Sequence, residues 1–167
     1  EEQEMLSEAA AILAKRGVAD AAADLDRRLD MLSSAAIELR TSWTTSEARC
    51  VEWAGLFLVE ADLDGQRREI PSAVAEAESI DAAAATLGIA VPSHQPEPAE
   101  WAALNGHAGG VVALAGRLES AEAATRELAR QYVPTLSMLV GPLGAARMVV
   151  LAGGRERLAR NPEIQQA

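Results

Sequence analysis

Cysteine, tyrosine and phenylalanine each occur once in these 167 residues, and aromatic side chains make up 3% of the chain. The single cysteine, Cys50, excludes an internal disulfide and any cysteine-based zinc site, and with no partner for nucleophilic chemistry it reads as a buried or idle thiol. The histidines are His94 and His107, and neither sits in an HExxH or ExxH pair, so no metal ligand set is expected. Scarce aromatics and plentiful Ala and Leu exclude a β-sandwich, whose strands want β-branched and aromatic residues, and predict an all-α protein. The longest apolar run, Met138–Gly154, is interrupted by Pro142 and Arg147 and is too short to span a bilayer, so no membrane partner is expected. The N-terminus is acidic and lacks a secretory pattern. The unused thiol fits a reducing interior, so a cytoplasmic, prokaryotic-type location is expected. The chain begins with Glu rather than Met and is expected to be a fragment of something longer.

Enzyme signals are equally sparse. Gly141-Pro142-Leu143-Gly144 does not fit GxGxxG, lacks a P-loop lysine and follows no strand pattern. Ser33, Ser34 and Ser137 have no nearby base. No catalytic residue, cofactor or metal is expected, and the protein reads as a non-enzyme.

Positive charge is short overall, at a net −10, and is concentrated late. Residues 1–125 carry 9 Lys/Arg against 22 Asp/Glu, whereas residues 126–167 carry 6 Arg against 3 Glu. A nucleic acid is repelled by the first part and approachable only at the second. The same pattern also fits a solubilised Ala-rich surface with arginines favouring helix C-termini. Lys15 is the only lysine, so arginine usage reads as genomic bias as much as functional choice.

What the chain does have is helical periodicity. A short helix is predicted over 4–15, ending near Gly17. Ala22, Leu25, Leu29, Leu32, Ala36, Leu39 and Trp43 then alternate steps of three and four, a heptad seam. Ser42 and Thr44–Ser46 mark a break or re-cap before a helix over 46–64. Pro71-Ser72 opens another helix, stopped by Gly88. Residues 88–98, with three prolines, form a loop. A long helix runs from 97–99 to Val133 with a second seam at Val111, Leu114, Leu118, Ala121, Thr125, Leu128 and Tyr132. Gly106, Gly109 and Gly110 weaken its first half, mark a break, or admit another helix. Two heptad-patterned helices with short ones between them predict an antiparallel coiled-coil arm over 1–133. A small helical module over 134–167 sits at its base.

Tyr132-Val133-Pro134-Thr135-Leu136-Ser137-Met138-Leu139-Val140-Gly141 resembles the segment that opens the Nop domain, "(I/A)APNLTALVG". Leu143–Gly154 is similar to that family's "xxAARLIxxAGG/S", and Arg155–Pro162 to its "LxxLAKxPA". Ile164-Gln165 pairs with its "TIQ". The match is ordered, nearly gap-free and about thirty residues long. Pro134 ends the preceding helix, Gly141 and Gly153 can supply left-handed turns, and Gly144, Ala145 and Ala146 permit close helix crossing. Gly154 and Pro162 complete the motif positions. Upstream, Leu25–Asp30 resembles the family's "LDxLDxxIN" and Ile37–Arg40 its "RLREWY", but Trp43 is followed by Thr44-Thr45-Ser46 where the family has "WYxxHFPEL".

The resemblance implies a scaffold of box C/D-type ribonucleoproteins. In that family the coiled coil self-associates, implying a homodimer here, and the Nop domain grips a kink-turn RNA together with its small binding protein. The fibrillarin-binding N-terminal domain is not expected in this chain. The chain also ends where the family continues with "GAEKALF", which lies in the RNA-facing part, so scaffolding transfers more readily than RNA binding. The alternative is a truncated or diverged relative that only dimerises or binds protein. The residues expected to reach RNA or a partner are Arg147, Arg155, Arg157 and Arg160. Of these, Arg157 and Arg160 can share a helix face, Arg155 cannot join Arg157, and Arg147 can instead bond a helix end or pair with an acid.

Overall fold

Helix starts and stops in the computed structural model, which describes residues 2–165, follow proline, glycine and Asp/Ser caps. The described residues are all-α, in the order α1 (Glu2–Ala23), α2 (Leu25–Phe57), α3 (Ile70–Glu76), α4 (Ile80–Thr86), α5 (Pro98–Tyr132), α6 (Pro134–Val140), α7 (Pro142–Ala152), α8 (Arg155–Ala159) and α9 (Pro162–Gln165). The side chains of Ile164 and Gln165, paired above with "TIQ", lie outside the described residues.

Several boundaries depart from expectation, and the helix expected from Pro71 to Gly88 is two, α3 and α4, parted at Ala77–Ser79 where Ser79 caps the second. α1 passes through Gly17 and ends at Ala23; a Cβ at Gly17 would meet nothing within 4 Å, so the glycine weakens the helix without stopping it. The break falls at Asp24, whose Oδ1 accepts the backbone N–H of Asp26 at 3.0 Å and of Arg27 at 3.4 Å, an N-cap that starts α2. α2 then runs unbroken through Ser42–Ser46 and ends at Phe57, short of residue 64. Gly106, Gly109 and Gly110 neither break α5 nor admit a neighbour, since each faces open space.

The chain divides into two compact units, one built from Ile37–Ser120 and the other from Glu1–Ala36 with Ala121–Ala167. The first has its core at Cys50, Val51, Ala54, Leu58, Ile70, Val74, Ile80, Ala84, Leu104, Ala108 and Val111. Two short helices are tied into it by side-chain amides. Asn105 Nδ2 donates to the carbonyls of Val74, Ala75 and Ala77 at 2.9, 3.1 and 3.3 Å, satisfying the end of α3. Gln66 Nε2 donates to the Leu87 carbonyl at 2.9 Å. Ser79 caps α4 by accepting the Ala82 N–H, and Gly88, at φ +70°, closes it. Glu47 is buried and held by Arg67 in a two-pronged ion pair, both contacts at 2.7 Å. That hydrogen bond is the first cause of the rise in the Arg67 pKa. Burial, then the Glu47 charge, pushes the Cys50 thiol up to about 11, so it stays protonated at neutral pH.

In the second unit Leu29, Ala129, Val133, Ala145, Ala146, Val149 and Leu158 are buried together. Burial varies along the expected seam positions of the two units, and Ala22, on α1, is exposed. Leu29, Ala36, Val111, Leu118 and Thr125 are buried, and Leu25, Leu32, Leu39, Leu114 and Leu128 are half-buried. Thr125 is tolerated because its hydroxyl donates to the Ala121 carbonyl at 2.7 Å. No single helix among the described residues is long and apolar enough to cross a membrane.

Candidate functional site

The tail after α5 is a set of short helices cut at each proline and glycine. Pro134 opens α6, where a missing N–H costs nothing. Gly141, at φ +81° and ψ 153°, then turns the chain by 116° into α7, opened by Pro142. α7 ends in a Schellman turn: Gly153 (φ +81°) donates to the Val150 carbonyl at 3.1 Å and Gly154 to the Val149 carbonyl at 2.9 Å. Ala145 and Ala146 are fully buried, so their methyl groups set how closely α7 approaches its neighbours. Ser137, buried in α6, donates to the Ala129 carbonyl at 3.0 Å and fastens α6 to the end of α5.

The first turn of α8 is satisfied from far away in sequence. Asp26 Oδ1 accepts the backbone N–H of Arg155 at 2.9 Å, across 129 positions, and so caps α8 from α2. A Cβ on Gly154 would lie 2.9 Å from Asp26 Oδ2, and Gly154 sits at φ +133°, so glycine is required there on two counts. The Arg155 guanidinium lies 4.2 Å over the Tyr132 ring and donates to the Tyr132 carbonyl at 3.0 Å. Burial first, then interaction with the Asp26 carboxylate, raise the phenol pKa, while Arg155 opposes them. Asp26, Tyr132 and Arg155 thus form a closed cluster joining α2, α5 and α8.

This cluster changes the reading of the four arginines. Arg155 has its guanidinium occupied within the fold. Arg157 lies against Gly153, with a Cβ there 3.0 Å from its Nη1. Arg160 makes an exposed ion pair with Glu156 at 3.6 Å, an arrangement that contributes little to stability. Arg147 is exposed on α7, apart from the α8 group. Arg157 and Arg160, three positions apart, are both exposed. Beside Arg155, the residues Tyr132, Pro134, Leu136, Leu139 and Leu158 line an open apolar groove of about 460 Å³. Met138 and Leu139, just before the α6–α7 bend, are at least three-quarters exposed, as is Leu151 at the far end of α7. No group of metal-ligating side chains occurs among the described residues. Asp26 was not a candidate on sequence. Its signal was its place in the upstream segment resembling "LDxLDxxIN", with no local pattern pointing to α8. No protein-family model matches the chain, and no curated protein matches it.

Proposed function

We propose that this chain is a non-catalytic scaffold of a Nop-type ribonucleoprotein, self-associating and meeting its RNA–protein partner at the α7–α8 end. In this reading α2 and α5 pair as an antiparallel coiled coil, and the protein works inside the cell. The observation that carries the reading is the punctuation of the tail. Pro134, Gly141, Gly153 and Gly154, motif positions of the resemblance, are each used as a helix start or a positive-φ turn, as is Pro142 between the matched segments. Arg157 and Arg160 supply the exposed cations for phosphate, with Arg147 beside them in sequence order rather than on the same helix.

The test is a gel-shift with kink-turn RNA and its small binding protein. Salt-sensitive supershifting, abolished by Arg157→Glu with Arg160→Glu, supports the scaffold reading. No supershift from folded protein supports a second one, a relative that only dimerises or binds protein. That alternative is favoured by the internal use of Arg155, the Arg160–Glu156 pair and the exposed Met138 and Leu139 just before the α6–α7 bend.

A further inference from the structure

The helix α1 spans 22 residues, about 33 Å at ~1.5 Å per residue, and has no buried residue. A helix in water draws most of its stability from packing one face, and α1 packs none. It nevertheless carries a face to pack. Met5, Leu6, Ala9, Ile12 and Leu13 recur at steps of one, three, three and one, placing all five within one stripe of the helix surface. Met5, Leu6 and Leu13 are about two-thirds exposed and Ile12 about half. The heptad seams of α2 and α5 offer a second copy nothing comparable, because Leu29, Ala36, Val111 and Leu118 are already buried within the chain.

We propose that α1 docks on α1 of a second copy, antiparallel, with Ala9 at the two-fold axis. The stripe is self-complementary in that register. Met5 meets the second copy's Leu13, Leu6 meets its Ile12, and the two Ala9 methyls let the backbones approach closely. Charge chooses the direction. Glu2 and Arg16 lie on the stripe's own face, one beyond each end of it. The antiparallel register sets Glu2 against the second copy's Arg16 at both ends, and the two helix dipoles oppose favourably. A parallel pair would set Glu2 against Glu2 and Arg16 against Arg16. The acidic first half of α1 disfavours the other use of an amphipathic helix, an anionic membrane surface. The inference concerns the self-association in the proposed function, but it stands on α1 alone and needs no RNA or family membership. Its failure and that of the scaffold reading are therefore separable.

The test is sedimentation equilibrium of the full chain, with far-UV melting as a control for folding. Because α1 buries nothing, its variants should leave the melting of the rest of the chain unchanged. The expected result is a dimer that Leu13→Glu weakens at least tenfold, while Leu151→Glu on α7 leaves it intact. Glu2→Arg and Arg16→Glu should each weaken it, and the two together should restore it. Ala9→Cys should give an oxidised dimer, since facing Cα atoms on the axis fall within the roughly 7 Å a disulfide needs. The buried Cys50 will not compete. A monomer at millimolar concentration overturns the proposal. So does a dimer that survives Leu13→Glu, a double swap that fails to restore association, or a monomer that instead sediments with anionic vesicles.

Discussion

Replacing Asp26 by alanine removes one carboxylate that serves two elements. The first loss is the cap on α8: its leading N–H, now bonded at 2.9 Å, would have to find water. Removing a capping acceptor costs about 0.5–2 kcal/mol. The second loss is the carboxylate that acts on the Tyr132 hydroxyl. Because Asp26 is half-buried and water can partly replace it, the lower part of the capping range applies, about 0.5–1.5 kcal/mol. In a chain of this size each kcal/mol lowers Tm by about 2–4 °C, so a drop of about 1–6 °C is expected. Urea and thermal unfolding followed by far-UV circular dichroism measure it. Asp26→Asn, which keeps an acceptor oxygen, should recover part of the loss. Gly154→Ala supplies the cross-check. It carries a positive-φ strain of about 1–3 kcal/mol and a clash with Asp26 Oδ2. The clash disappears in the double variant and the strain does not, so the two changes should be less than additive. A Asp26→Ala variant within 0.5 kcal/mol of the parent, with strict additivity to Gly154→Ala, would refute the cluster as a joint.

Tyr132 is the only tyrosine, so absorbance near 295 nm titrates it alone. With its folded pKa raised, its stabilising contribution is complete below the unfolded value near 10 and is lost as pH rises through the folded value. The titration should shift downward in Asp26→Ala. Arg67→Ala leaves Glu47 buried without its partner and should destabilise by about 1–3 kcal/mol in urea unfolding. Arg49→Ala removes an exposed pair and should change stability by about 0.5 kcal/mol or less. Gly106→Ala, Gly109→Ala and Gly110→Ala should each raise stability, by about 0.5–1 kcal/mol, because each methyl enters open space on a continuous helix. A loss at any of the three would mean that α5 is broken or covered there.

Helix punctuation was largely legible, because prolines and glycines act locally. Pro98, Pro134 and Pro142 open helices, and Gly88 and Gly153 end them, as their backbone preferences dictate. The three-four alternation was legible as helix, and Leu29, Ala36, Val111 and Leu118 on it are buried. Ser42–Ser46 misled because tertiary packing overrides local propensity: Trp43, within the segment, packs against the core and Cys50, just beyond it, is buried there, which holds the segment helical. Arg155 misled for a different reason. Charge near the chain's end suggests phosphate, but its ring contact and the cap on its N–H come from Tyr132 and Asp26, and no local pattern encodes a pairing across 129 positions.

The single amide of Asn105 gathers three carbonyls from the end of α3, and Gln66 holds the end of α4. Helices of seven residues do not persist alone in water. Their backbone protons should therefore exchange with deuterium at one common rate, set by the collapse of the whole Ile37–Ser120 unit. Neither helix should fray first, and Asn105→Ala should split that common rate into separate ones.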